Sequence, residues 1–250
     1  MSWNDVMGIV STLALSLPIL TIFYTGLAGY RTFPVLLFYY VMVVGYNLFT
    51  EGYVKAPDSI THYYGIANNL LDAPLMLIFL TYFCTSPMLK QRMKIMVGIF
   101  IAFEFLIISI YGLTIEAITI IMGPGIILIL TFCIPFFVRQ TKITITNQKA
   151  LGKAMITASL LFAYGCYSII YIMYYLLQIR DVQNTFLVYF FVSTFSSLLM
   201  SAGIIIERKR VKKLSELMVV RKELSQLYAN ENTAAPLRPA VFDMDKDQWN

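Results

Sequence analysis

Asp72 and Glu104 each stand inside a long apolar segment, where an ionisable side chain is costly and therefore marks a first place to look for function. Asn68 and Asn69 precede Asp72 by four and three residues, so on a helix the three polar groups share one face that points into a bundle. Glu104 lies among Phe103, Phe105 and Leu106 with no polar neighbour at helical spacing, which fits a neutral acid bonded across helices. Further along, Tyr164, Tyr167, Tyr171, Tyr174 and Tyr175 recur at intervals suited to one aromatic, hydroxyl-bearing face. Tyr164 and Tyr167 are deep enough in their segment that their hydroxyls need internal partners. Two carboxylates permit general acid and base work if they converge. The single histidine, His62, rules out di-iron oxygenase or desaturase chemistry on ligand count. Cys84, Cys133 and Cys166 lack ligand-like spacing, so neither a disulfide framework nor a zinc site is expected, and no metal is assigned.

The elements that must position these groups are apolar segments over roughly 6–26, 32–50, 63–84, 93–113, 117–138, 151–178 and 184–206, each near the ~20 residues needed to cross a bilayer as a helix. A chain that is 58% hydrophobic and 13% charged, with mean hydropathy +0.71, cannot bury its apolar residues in a water-soluble core. The pattern predicts an all-α, polytopic membrane protein: a seven-transmembrane-helix bundle over 1–206 with short connections. The first charge is acidic Asp5 and no A-x-A site follows the first segment, so that segment is expected to be retained rather than cleaved.

Charge sets the expected topology. Arg31; Lys90, Arg92 and Lys94; Arg139, Lys142, Lys149 and Lys153; and Arg208, Lys209, Arg210, Lys212 and Lys213 all fall on one side. The other side carries Lys55 and Arg180 beside Asp5, Glu51, Asp58, Glu116 and Asp181, so the positive-inside rule predicts the N-terminus outside and the C-terminus cytoplasmic. The net charge of +5 is then a topology and lipid-headgroup signal, and membrane lipids rather than nucleic acid are the expected partners.

Beyond Glu207 the composition becomes that of a soluble helix. Leu217, Val220, Leu224 and Leu227 recur at three- and four-residue spacing, predicting a cytoplasmic amphipathic helix over 207–230 that either lies on the membrane face or contacts a second copy or a signalling partner. Residues 231–250 carry Pro236 and Pro239 and end in Asp243, Asp245 and Asp247, which reads as a disordered acidic tail or partner-binding peptide. Within the spans, Pro74 and the run Gly123-Pro124-Gly125 are expected to bend or loosen their helices, and Ser193, Ser197 and Ser201 form a small-residue stripe suited to close helix packing.

Three fragments carry a family resemblance. Asp72-Ala73-Pro74-Leu75-Met76-Leu77 in the third segment, Ala163-Tyr164-Gly165 in the sixth and Phe191-Val192-Ser193-Thr194-Phe195 in the seventh together resemble microbial (type 1) rhodopsins. The resemblance implies a rhodopsin-like fold and residence in the cytoplasmic membrane of a prokaryote. It also places the family's retinal-binding lysine on Phe195, the seventh-helix counterion on Phe191, the third-helix proton acceptor on Asn68 and the preceding arginine on Gly65. Phenylalanine forms no Schiff base, so no covalent retinal is expected, and loss of the cation together with both counterions is electrostatically consistent.

The resulting expectation is a rhodopsin-like sensor, signal-transmission or assembly component, more in keeping with a receptor than with an enzyme. A pocket between the third, sixth and seventh helices is expected to hold a lipid, carotenoid or other apolar ligand noncovalently, with Asn68, Asn69, Asp72, Tyr164, Tyr167, Phe191 and Phe195 as its candidate residues. The alternatives are a membrane enzyme acting on lipids through Asp72 and Glu104, and a transporter. The transporter reading is opposed by the lack of an evident internal repeat.

Overall fold

A computed structural model describes residues 3–147, 150–173 and 182–230, with side chains placed for 6–146, 150–173 and 187–225. Its helices are α1 (Trp3–Thr25), α2 (Phe33–Thr50), α3 (Asp58–Leu80), α4 (Pro87–Tyr111), α5 (Ile115–Asn147), α6 (Leu151–Tyr171) and α7 (Val182–Asn230). All seven are long and apolar enough to cross a membrane. Several run past the apolar intervals that announce them: α4 begins at Pro87 rather than near 93, and α5 continues to Asn147 rather than ending near 138. Hydropathy marks the lipid interval, whereas local bonding marks the helix end. Ser86 supplies the start of α4, its hydroxyl accepting the Leu89 N–H at 3.1 Å, and Thr114 does the same for α5 through Ala117 at 3.2 Å. At the far end of α4, Gly112 takes a positive φ of 70° to stop the helix.

The helices close a ring in chain order. Helix α1 packs against both α2 and α7, α3 against α2, α4 and α5, and α6 between α5 and α7. Because α3 reaches α5 behind it, α4 stands at the periphery. Near one end of the ring Phe33, Leu36, Phe79, Leu80 and Phe83 are almost fully buried, and the rings of Phe33, Phe79, Tyr82 and Phe83 meet mostly edge to face at 5.3–5.9 Å. This aromatic layer lies at the end where the basic connections gather.

Helices α6 and α7 approach most closely through glycine. A Cβ on Gly152 would come within 2.6 Å of the Glu207 backbone nitrogen, and one on Gly203 within 3.0 Å of the Ile156 nitrogen, so only hydrogen fits between these backbones. Ser193, Ser197 and Ser201 are buried on the same helix, and the Ser159 hydroxyl of α6 donates to the Ser196 carbonyl at 2.7 Å. The expected helix breakers lie within unbroken α3 and α5. Their glycine instead permits close approach, since a Cβ on Gly125 would stand 3.0 Å from Ala73 Cβ and 3.2 Å from the Phe100 ring.

Residues 207–230 prolong α7 without interruption. The change in composition at Glu207 is a change of solvent and not a helix end. Tyr174, Tyr175, Lys149, Arg180, Asp181, the side chains of Asp5 and Leu227, and the tail 231–250 lie outside the described residues.

Candidate functional site

Inside the ring is a cavity of about 270 Å³ with walls from every helix. Asp72 sits on α3 about 12 Å of helix rise from Leu80. Across the cavity the Tyr164 hydroxyl of α6 donates to Asp72 Oδ1 at 2.7 Å. Tyr39 of α2 lines the same cavity beside both groups. A carboxyl and two phenols from three helices thus form one polar cluster. Tyr167 stands edge to face with Tyr164 at 6.1 Å and stacks on Tyr189 of α7 at 5.7 Å, extending an aromatic wall away from the cluster. At the end of that wall, the Tyr171 hydroxyl donates to the Thr119 carbonyl at 3.0 Å, seated against Gly123.

Asn68, Asn69, Asp72, Tyr164 and Tyr167 all line this cavity. Phe191 and Phe195 do not: they are 58% and 45% exposed on the outer face of α7, stacked on each other, with Phe195 also edge to face with Phe162 at 4.9 Å. The inward face of α7 belongs to Tyr189, Ser193, Ser196 and Ser197. A helix that is apolar all round does not reveal which side faces lipid, and the rotation of α7 leaves 191 and 195 outside this cavity. The wall also extends beyond α3, α6 and α7, because Tyr39 and Tyr40 of α2 contribute to it. Those adjacent tyrosines within the apolar run of α2 are the signal available in the sequence.

Glu104 is buried, with Oε1 lacking a hydrogen-bond partner. It lies one turn beyond Phe100, whose ring reaches the cavity, and within electrostatic range of Asp72. Its carboxyl is not part of the cavity wall. Among the described residues no group of three or more His, Cys, Asp or Glu side chains is arranged to hold a metal ion.

At the basic end, beneath the aromatic layer, a second polar cluster escapes any sequence motif. Glu207 is 1% exposed, and its Oε1 accepts the Tyr82 hydroxyl and two Arg210 nitrogens, at 2.9 Å from Nε and 2.5 Å from Nη2. Lys153 Nζ stands 4.9 Å from the centre of the Tyr82 ring. The packed bundle therefore continues one turn past the end of its apolar run. An acid three residues before an arginine in an otherwise basic stretch is the sequence trace of this pair.

Fold and cavity together define an integral membrane protein: an all-α, seven-helix transmembrane bundle able to house an apolar ligand. No family model, curated protein or solved structure matches the chain.

Proposed function

We propose that the protein is a membrane sensor or signal-transmission component that binds a small, largely apolar ligand noncovalently and passes the state of its cavity to the cytoplasm through α7. The observation that carries this reading is the continuity of α7. Tyr189, Ser196 and Ser197 line the cavity, and the same helix runs on to Asn230. The cavity falls at the lower edge of the ~300–1,000 Å³ typical of ligand sites. A small amphipathic molecule suits it, with the Asp72–Tyr164–Tyr39 cluster as polar anchor. A carotenoid, long enough to span the bilayer, exceeds it. The closed ring of helices in chain order supports a rhodopsin-like arrangement without covalent chromophore. The outward Phe195 argues against the residue register by which that resemblance was drawn.

The output surface is the stretch 207–230, where Leu217, Val220 and Leu224 stand 40%, 51% and 47% exposed on one stripe and offer a contact for a second copy or a cytoplasmic signalling partner. The N-outside, C-inside orientation belongs to the same proposal and rests on the charge distribution. The test is to identify small molecules that copurify with the protein, by absorbance and mass spectrometry, and to compare Asp72→Leu and Ala163→Ile, which remove the anchor and narrow the cavity. A species present with the wild type and lost from both folded variants supports the reading. A species retained by both variants, or none at all from native membranes, refutes it.

A further inference from the structure

Beneath the aromatic layer lies a second and larger space, a cleft of about 940 Å³ at the basic end of the bundle. Positive-inside topology requires cations at this end but does not require them to converge, and here they do. Arg31 from the first connection, Lys90 and Lys94 from α4, Arg139 from α5, Lys153 from α6 and Arg210 from α7 all line the cleft. None of its described lining residues is Asp or Glu. Glu207 is buried and held by Arg210 and Tyr82.

The wall is also organised. The Glu207 pair fixes Arg210, the Tyr82 ring receives Lys153 on its face, and Arg139 Nη1 donates to Thr85 Oγ1 at 2.5 Å. Helix α4 begins in this wall at Ser86 and Pro87, so the positive end of a 25-residue helix adds to the field of the side chains. Thr32, Thr85, Ser86 and Ser215 stand among the cations, with the Thr32 and Ser215 hydroxyls donating to the Phe79 and Lys212 carbonyls and those of Ser86 and Thr85 accepting from Leu89 and Arg139. A space into which cations from five parts of the chain converge, with no Asp or Glu among its described lining residues, has the charge that recognises a phosphate group. The apolar floor of Ile78, Tyr82 and Phe83 meets whatever the phosphate is attached to.

We infer that this cleft is a binding site for a phosphate-bearing anion, distinct from the central cavity and separated from it by the aromatic layer. The phosphate comes either from a lipid headgroup entering from the bilayer or from a soluble phosphorylated compound.

The experiment uses the full chain in phosphatidylcholine nanodiscs. One arm adds phosphatidic acid and reads its retention on the protein by native mass spectrometry; the other adds inorganic pyrophosphate and reads binding by calorimetry. Lys90→Gln/Lys94→Gln removes two exposed lysines of the cleft. Lys142→Gln/Lys209→Gln removes two exposed lysines that lie outside it at the same end. The cleft variant is expected to weaken binding by about tenfold or more, with the control pair within about twofold of wild type. Retention of phosphatidic acid alone identifies the lipid source, and binding of pyrophosphate identifies the soluble one. The inference is overturned if neither anion binds, or if both variant pairs weaken binding alike, because the effect would then be the general charge of that face.

Discussion

Gly152→Ala adds one methyl group where the two most intimate helices of the bundle leave no room for it. The new Cβ would lie 2.6 Å from the Glu207 nitrogen, 2.9 Å from its Cα and 3.0 Å from its Cβ. Ordinary carbon contacts are about 3.5–4.0 Å, so the methyl must drive α6 and α7 apart by about 1 Å, and the obstacle is backbone that no rotamer change can move. Overpacking of this kind costs about 1–3 kcal/mol. Gly165→Ala on the same helix is the matched control, since a Cβ there meets nothing within 4 Å and alanine favours a helix interior by up to about 1 kcal/mol. For a chain of this size 1 kcal/mol corresponds to about 2–4 °C, so Gly152→Ala is expected to melt roughly 2–12 °C lower and Gly165→Ala at or slightly above wild type. Thermal unfolding of the purified proteins in one detergent, followed by thiol-reactive dye or intrinsic fluorescence, measures both. Equal melting of wild type and Gly152→Ala, or a larger loss at Gly165, would refute the packing argument.

Four further outcomes follow from the geometry. In a double-mutant cycle, Tyr164→Phe and Asp72→Asn are expected to couple by about 1 kcal/mol in thermal stability, and additive losses would place the two groups out of contact. Neither the wild type nor Phe195→Lys is expected to form a hydroxylamine-sensitive visible band with retinal, because no lysine is among the described residues lining the central cavity and position 195 faces outward; a stable red-shifted band in either would reverse that assignment. Burial pushes the Cys84 thiol up to about 11 against the opposing pull of Lys90 and Arg139. In a variant keeping Cys84 as its only cysteine, alkylation should therefore climb about tenfold per pH unit from 7 to 10, since the reactive thiolate is still the minor form throughout; a plateau near 9 would contradict it. Leu217→Lys/Leu224→Lys is expected to leave the bundle's melting unchanged while abolishing a crosslink to a second copy or cytoplasmic partner in native membranes, and unaltered crosslinking would remove 207–230 as the contact.

The spans were legible because crossing a bilayer demands length and apolarity, which composition displays directly. The α3 face of Asn68, Asn69 and Asp72 was legible for a related reason: polar groups in lipid must turn inward, so their spacing fixes the rotation of the helix. Rotation is hidden where a helix is apolar all round, as at Phe191 and Phe195, because lipid is as good a neighbour as another helix for a phenylalanine. Glu207 was hidden differently. Followed in sequence by Arg208, Lys209 and Arg210, it reads as a solvated charge, and only the arrival of Tyr82 from the turn after α3 makes it a buried one.

The glycine contact between α6 and α7 also determines how motion scales along the molecule. Gly203 touches α6 about 10 Å of helix rise beyond Ser196 at the cavity and about 40 Å before Asn230. If that contact is the fulcrum, α7 is a lever with arms in a ratio of about one to four, and a sideways shift of about 1 Å at the cavity becomes about 4 Å at the far tip. A cavity too small to accommodate large rearrangements is then matched to a distal arm long enough not to need them.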